Sequence, residues 1–235
     1  MNEFNLKKRT IRREAYFDKY NFLTKNGSEL IANKLKFIAK NLNSCLFLNE
    51  DINLELLNFN NNEIANINDI TLVEGKFDVI ISNFSLQIPF FLNSSDVLCK
   101  VSSKLNDNSL FCFNIITLNS MTTLQNIFIE IDEKIYGGVY RRFGPFLETS
   151  KLIDELNKNK FKDIVVGVEN LEINYDSLSK LREDFRKFGI SNYFNEKYKF
   201  KKDFYKLTNK IFSKLVEKHK YIPLEIEIAT FTSWK

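Results

Sequence analysis

The sequence predicts an α/β fold in which a doubly wound sheet carries helices on both faces. Continuous apolar runs at Ser44–Leu48, Phe77–Ser82 and Ser109–Ile116 have the length and composition of buried parallel strands. Helical patterns separate these runs, which favours a parallel sheet over a meander. With 235 residues, 44% of them hydrophobic, the chain is long enough for one domain, so we expect a single domain over residues 1–235.

Helical periodicity starts in an N-terminal segment, residues 1–43. Apolar residues at mixed three- and four-residue spacing predict two helices between Arg12 and Lys40, with a break near Asn26-Gly27-Ser28 and Ser28 as the second N-cap. Later helices are predicted at Phe90–Leu105, Ser120–Tyr136 and Thr149–Asn159. An inserted helical region at residues 170–220 holds two more, one from Asp176 or Ser177 to Phe188 and one at Lys202–Lys218.

The remaining strands are predicted near the C-terminus. Ile164–Val168 reads as a strand with a second extended piece at Leu171–Tyr175, and Leu224–Thr232 alternates polar and apolar residues with the period of a half-exposed strand. This alternation predicts an antiparallel strand at the edge of the sheet.

The first half of the sheet is expected to be shortened. Residues 49–76 are polar and rich in asparagine, and these 28 residues separate the first two apolar runs. A crossover between parallel strands takes about 10–12 residues or more, so two crossovers and a strand would have to be compressed. We therefore predict that one strand and helix pair is missing here.

Charge and composition exclude several functions. The formal net charge of +4 comes from 34 basic and 30 acidic residues, and the clusters at residues 7–13 and 197–202 fit a solvated surface better than a nucleic-acid site. The single histidine, His219, excludes a histidine-based metal centre, and we expect no metal. Neither a signal-peptide pattern nor an apolar run of membrane-spanning length is present, so we expect a soluble, cytoplasmic protein.

The three cysteines have apolar neighbours and no paired framework. We interpret Cys45, Cys99 and Cys112 as small packing residues in a reducing compartment.

Four segments carry a family resemblance over nearly the whole chain: residues 12–23, residues 75–87 (Gly-Lys-Phe-Asp-Val-Ile-Ile-Ser-Asn-Phe-Ser-Leu-Gln), residues 189–192 after a helix, and residues 228–235. In this order they resemble the class I S-adenosylmethionine-dependent methyltransferase-like family that includes mitochondrial complex I assembly factors and, more distantly, the malonyl-carrier O-methyltransferase of biotin synthesis. The resemblance implies a Rossmann-like methyltransferase sheet that holds S-adenosylmethionine at the carboxyl ends of its central strands. It also implies a protein partner, such as a respiratory complex subunit.

The resemblance implies a cofactor site with one departure from the family. Family members carry a glycine-rich loop after the first strand, whereas Asn49, Glu50 and Asp51 stand there in this chain. The other residues that match the family's cofactor segments are Asp69, near the adenine, and Asn83, Phe84 and Ser85. Glu55 and Glu63 both remain candidates for the acidic residue that binds the ribose.

Candidate substrate residues are Gln87, Arg141, Arg142, Ser191 and Asn192. Gln87 stands where the family often has a histidine, and because an amide cannot act as a base near neutral pH, we assign no catalytic residue. The two arginines would clamp a carboxylate or a phosphate, or belong to a surface turn. Ser191 and Asn192 are site residues by resemblance alone.

Three functions follow as hypotheses. The first is a methyltransferase-family protein with a degenerate cofactor site, from which S-adenosylmethionine binding has been weakened or lost, acting on a protein partner in complex I assembly; its enzymatic variant methylates a small or carrier-bound acid. The second is a non-catalytic scaffold or binding protein. The third is a nucleic-acid-binding protein, whose affinity would fall steeply with salt.

Overall fold

The computed structural model describes residues 15, 18, 21–38, 42–49, 57, 59–188, 194 and 201–235. Six strands form one sheet in the order β2-β1-β3-β4-β6-β5. Their bounds are β1 Ser44–Leu48, β2 Asn61–Ala65, β3 Phe77–Asn83, β4 Leu105–Ile116, β5 Lys162–Tyr175 and β6 Ile222–Trp234. Strand β1 pairs in parallel with β2 and β3, β3 pairs in parallel with β4, and β6 runs antiparallel to β4.

Helices follow the strands. They are α1 Phe22–Lys36, α2 Gln87–Lys104, α3 Thr122–Tyr136, α4 Thr149–Lys158, α5 Leu178–Lys187 and α6 Lys202–His219, with a short 3₁₀ helix at Ile70–Leu72. Helix α3 ends at Gly137 in the left-handed conformation (φ 71°), and Ser177 caps α5 by accepting from the Lys180 N–H, both as predicted.

Both faces of the central strands are buried. On one face, Ile31 and Ala32 of α1 cover Cys45, Phe47 and their neighbours on β3 and β4. On the other face, apolar residues of α2 and α4 cover a cluster that includes three stacked rings. The Phe113 ring centroid lies 4.6 Å from that of Phe111 and 4.7 Å from that of Phe231. The predicted doubly wound α/β fold is therefore confirmed.

Two predictions about individual elements are wrong. Strand β6 is antiparallel as expected, but it lies between β4 and β5, so that β5 forms the edge. The second half of β6 is buried on both faces, and only its first half alternates, which is why its pattern resembled an edge strand. Helix α1 continues through Gly27 with Asn21 as its N-cap, and Ser28 is a buried residue inside the helix. The earlier of the two predicted N-terminal helices lies largely outside the described residues.

The short segment between β1 and β3 holds one strand that the sequence did not reveal. Strand β2 is mostly exposed and contains the polar residues Asn61, Asn62 and Glu63, so it lacks an apolar run. Only the 3₁₀ helix lies between β2 and β3. Within the described residues β2 forms the other edge of the sheet, which agrees with the predicted loss of one strand and helix pair.

The chain forms two compact units. The sheet unit consists of Lys19–Leu118, Pro145–Glu169 and Glu227–Lys235, and the helical unit consists of Met1–Asp18, Asn119–Gly144 and Asn170–Ile226. None of the helices in the described ranges is long and apolar enough to cross a membrane.

Candidate functional site

The sheet order places the topological switch point at the carboxyl ends of β1 and β3. From β1 the sheet continues to β2 on one side, and the strands β3 and β4 follow on the other, so the winding reverses between β1 and β3. In open α/β sheets ligands bind outside the carboxyl ends of the strands at such a reversal. Phe47 pairs with Ile81, which brings the end of β1 at Leu48 beside the end of β3 at Asn83. We call this place the switch-point crevice.

Asn49, the residue after β1 at the switch-point crevice, has a left-handed backbone conformation. Its φ is 68°, in the region that glycine enters freely and other residues avoid, and its N–H donates to the Ala65 carbonyl at 2.9 Å. Asparagine is one of the few other residues that tolerates this conformation. Asn49 therefore makes a tight left-handed turn without a glycine. Glu50, Asp51 and Glu55 lie outside the described residues.

Ser85 joins the two strand ends. Its hydroxyl donates to the Leu48 carbonyl at 2.7 Å and lies 2.7 Å from the Ser82 hydroxyl. The preceding residue, Phe84, has a φ of 62°, and its N–H donates to the Asn114 carbonyl at 3.3 Å. The chain thus turns sharply after β3, as it does after β1, and the two turns face each other across a serine.

A buried amide pair fixes α1 to the ends of β3 and β4. The Asn83 side chain donates to the Thr24 carbonyl at 2.9 Å and to the Ser28 hydroxyl at 3.3 Å. The Asn114 side chain donates to the Asn83 side-chain oxygen at 2.9 Å and to the Gly27 carbonyl at 2.7 Å. The side chains of Asn83, Asn114 and Ser28 are all buried, so these hydrogen bonds are strong and costly to break.

Asn114 was missed by the sequence reasoning. It is fully buried in a strand of aromatic and aliphatic residues, and a polar amide in such a run is the signal that would have found it. The same contact explains why residue 27 is a glycine. A Cβ there would overlap the Asn83 side-chain oxygen and come within 2.5 Å of Phe84 Cε2. The close approach, rather than a helix break, explains the glycine.

Gln87 closes the end of β4. Its side-chain oxygen accepts from the Ile116 N–H at 2.9 Å, and its nitrogen donates to the carbonyls of Ile116 and Pro145 at 2.7 and 2.8 Å. With 8% of its surface exposed, the side chain is largely buried. These bonds position the start of α2 and the segment after Gly144, and the role of Gln87 toward a substrate remains a prediction.

An apolar cleft follows Gln87 on the sheet unit. A cavity of about 550 Å³ lies beside the first turn of α2 and along α4. Ser94, Glu148 and charged residues of α4 form part of its wall. The apolar side chains that line it are Phe90, Phe91, Leu118, Phe146, Leu147 and Leu152. Its volume is in the range of small-molecule sites.

The other candidates occupy distinct local environments. Asp69 is exposed and precedes the 3₁₀ helix that follows β2, and Glu63 is exposed on β2. Within the helical unit, Arg142 forms a forked ion pair with buried Asp132, with Nε donating to Oδ2 at 2.9 Å and Nη2 to Oδ1. Arg142 also lies over the Phe204 ring, 4.2 Å from its centroid.

Arg141 is exposed and lines a cavity of about 330 Å³ in the helical unit, together with Gln125, Phe128 and Tyr140. Ser191 and Asn192 lie outside the described residues.

Among the described residues no group of three or more histidine, cysteine or acidic side chains has the arrangement of a metal site. Burial raises the pKa of Cys45, and it raises the pKa of Cys112 to about 12, so both thiols stay protonated near neutral pH. Cys99 is exposed, unlike the packed residue that its neighbours predicted.

No protein-family model and no curated protein match the chain. Among solved structures, the YcgJ protein of Bacillus subtilis superposes with a TM-score of 0.49 at 11% identity, over 90% of this chain and 98% of that one. An S-adenosylmethionine-dependent methyltransferase of Methanosarcina mazei gives 0.46 at 9% identity, over 86% and 96%. Phosphoethanolamine N-methyltransferase 2 of Haemonchus contortus, in complex with S-adenosylmethionine, gives 0.46 at 14% identity, over 89% and 52%.

Proposed function

We propose that the chain is an S-adenosylmethionine-dependent methyltransferase-family protein whose cofactor site uses Asn49 in place of a glycine. The observation that carries this proposal is the switch-point crevice, where a left-handed Asn49 after β1 faces the Asn83–Ser85 turn after β3. The sequence resemblance assigned cofactor contacts to these same residues. Glycine at this place would allow a tight turn, and the φ of 68° at Asn49 supports the proposal because asparagine makes such a turn here.

The residues present fit such a cofactor at the turn. Asn49 and Phe84, which are partly exposed, would contact it in the crevice, and buried Asn83 and Ser85 would hold the two turns in place behind them. Asp69, which follows β2 at the same end of the sheet, would lie toward the adenine. When bound, the cofactor supplies an electrophilic methyl group. The chain's own contribution is then positioning of the acceptor, since no base is assigned, and methyl transfer can proceed mainly through orientation.

The apolar cleft beside Phe90 and Leu118 is the proposed entry for the acceptor. It lies beside the first turn of α2, which begins at Gln87, and the hydrogen bonds of Gln87 hold the end of β4. A protein segment or carrier-bound group that presents an apolar side to this cleft fits its lining better than a free, strongly charged metabolite. Within the helical unit, Arg141 and Arg142 remain proposed substrate contacts, and the Arg142 guanidinium already forms an ion pair with Asp132.

Calorimetric titration with S-adenosylmethionine and its demethylated product tests the proposal. We expect micromolar binding by the unmodified protein, retained binding by Asn49→Gly, and at least tenfold weaker binding by Asn49→Val. A β-branched residue at positive φ costs about 1–2 kcal/mol of strain and distorts the turn. Asn108 is the matched control, because it is exposed, has a φ of 57° and lies in the first half of β4, away from the carboxyl ends of the strands.

In the control, Asn108→Val should lower stability by a similar amount and leave cofactor affinity unchanged. Equal affinity losses in the two valine variants would mean that general destabilisation, rather than the Asn49 turn, weakens binding, and the proposed site would be wrong.

A second candidate is a scaffold that has the fold but does not bind the cofactor. This candidate is favoured because polar side chains at the strand ends form hydrogen bonds within the protein rather than pointing to a ligand. The Asn83 side chain donates to a carbonyl of α1, and the Ser85 hydroxyl donates to the Leu48 carbonyl. Absence of binding up to millimolar cofactor by a folded sample would select this candidate.

Action on a protein partner in respiratory complex I assembly is the finer part of the proposal. It is supported by the resemblance of the four sequence segments to the assembly factors. Affinity purification from the native organism should recover a complex I subunit or assembly protein, and repeated recovery of neither would refute this assignment.

A further inference from the structure

Helix α6 carries a ladder of lysines spaced four residues apart. Its members, here called the lysine ridge, are Lys202, Lys206, Lys210, Lys214 and Lys218, and all are exposed. The five charges of the ridge exceed the formal net charge of +4 of the whole chain. With Asp203 and Glu217 as its acidic residues, α6 carries a net charge of +3.

The ridge lies opposite the buried side of α6. Phe204, Thr208 and Phe212 are buried, and Phe204 and Phe212 stack near Phe128 of α3 at centroid distances of 6.1 and 5.9 Å. The central ridge lysines are offset from these residues by two positions, which is about 200° around a helix. Packing within the helical unit thus directs the central lysines to solvent.

The ridge differs from most lysines on the other described helices. Several lysines on other helices pair with a carboxylate three or four residues away: Lys100, Lys134, Lys151, Lys158 and Lys187. Within the described residues, Lys206, Lys210 and Lys214 have no such ion pair, and each has another lysine four residues away. Like charges at this spacing destabilise a helix. A partner of opposite charge would remove this repulsion.

The spacing of the ridge selects the kind of partner. Lysines four residues apart repeat every ~6 Å along the helix axis and turn by about 40° per step, so the central three span an arc of about 80°. An acidic helix with carboxylates four residues apart has the same repeat. Nucleic-acid phosphates are the alternative anionic partner, and competition with an oligonucleotide distinguishes them from an acidic helix.

The ridge also lacks what single-stranded nucleic acid requires. Sequence-tolerant binding of single strands uses exposed aromatic faces between the charges. Tyr205 is 41% exposed, but the Arg182 guanidinium lies over its ring, 5.3 Å from the centroid. We propose that the lysine ridge of α6 is a docking surface for an acidic helix on a protein partner. This interaction does not depend on whether the chain binds a cofactor.

The test compares two variants that lose the same charge. The ridge variant carries Lys206→Gln, Lys210→Gln and Lys214→Gln, and the control variant carries Lys36→Gln, Lys134→Gln and Lys180→Gln, all exposed positions on other helices. The probe is a fluorescent alanine-rich peptide of 21 residues with glutamate at every fourth position, measured by anisotropy at low and physiological salt. A peptide of identical composition with clustered glutamates, and an oligonucleotide of 20 thymidines, serve as competitors.

We expect the full-length protein to bind the spaced peptide more tightly than either competitor. Each exposed ion pair contributes a factor of about two, so the ridge variant should bind about tenfold more weakly and the control variant less than twofold more weakly. The melting temperature of the ridge variant should be unchanged or higher, because repulsion has been removed, which a purely structural role would not produce. Equal losses in the two variants, no binding of the spaced peptide at low salt, or tighter binding of the oligonucleotide would each overturn the proposal.

Discussion

Gly27→Ala is the most informative single substitution in the sheet unit, because two effects oppose each other there. Alanine stabilises the middle of a helix over glycine by about 1 kcal/mol. The new Cβ, however, would overlap the Asn83 side-chain oxygen and approach Phe84 Cε2 to 2.5 Å. Helix propensity alone therefore predicts stabilisation, whereas the contacts at the strand ends predict the opposite.

We expect the overlap with Asn83 and Phe84 to outweigh the gain in helix propensity. Overpacking of a filled site costs about 1–3 kcal/mol, and displacing the Asn83 amide from buried partners adds about 1 kcal/mol or more. Taking about 3 kcal/mol for both and subtracting about 1 kcal/mol of propensity leaves a net loss of about 2 kcal/mol.

Urea unfolding followed by the fluorescence of Trp234, the single tryptophan, measures this difference in the sheet unit. Asn33, exposed on the same helix, provides the control: Asn33→Ala should be more stable than Asn33→Gly by the propensity difference alone. In an Asn83→Ala background the cost of Gly27→Ala should shrink, because part of the overlap is gone. A Gly27→Ala protein as stable as the unmodified one would refute the close-packing account of α1.

Three further substitutions probe other parts of the fold. Burial alone would raise the pKa of Asp78, but its hydrogen bonds lower it below the ordinary value, so its contribution to stability is present above about pH 4 and lost as the pH falls further; the stability difference between the unmodified protein and Asp78→Asn, measured by urea unfolding from pH 3 to 6, should grow with pH, and parallel curves would contradict this. Arg142→Lys should cost about 2 kcal/mol by thermal or urea unfolding, because one ammonium cannot replace the fork on Asp132; an unchanged stability would show that charge alone suffices. Gln87→Glu should be destabilised by about 2 kcal/mol at pH 7, because a carboxylate replaces the amide group that donates to the Ile116 and Pro145 carbonyls. Its stability should recover as the pH falls and the carboxylate is protonated; equal stability at pH 7 and pH 4 would contradict the role of this side chain as a hydrogen-bond donor to the two carbonyls.

The apolar strands could be predicted from sequence because both of their faces are buried. Ser44–Leu48 and Phe77–Asn83 are continuous apolar runs, and their bounds in the structure agree with the pattern to within one residue. Strand β2 could not be found this way, because its side chains are largely exposed at the edge and its stability comes from backbone pairing with β1. Local periodicity carries no information about that pairing.

The candidate site was predictable only in part. The resemblance located Asn49 and Asn83–Ser85, and the sheet order independently places them at one crevice. Whether Asn49 forms the turn depends on a backbone angle that composition does not reveal. Gly27 was interpreted as a helix break because glycine has low helix propensity, whereas its cause is a contact with residues more than 50 positions away.

The central claim is that the switch-point crevice holds the cofactor. Amide chemical shifts of the isotope-labelled protein, followed during titration with the demethylated cofactor, test it residue by residue. The account predicts saturable shifts concentrated at Asn49, Asn83 and Ser85, with little change at Asn108 at the other end of β4. Saturable binding with shifts elsewhere and none at the ends of β1 and β3, or no shifts at millimolar ligand, would contradict it.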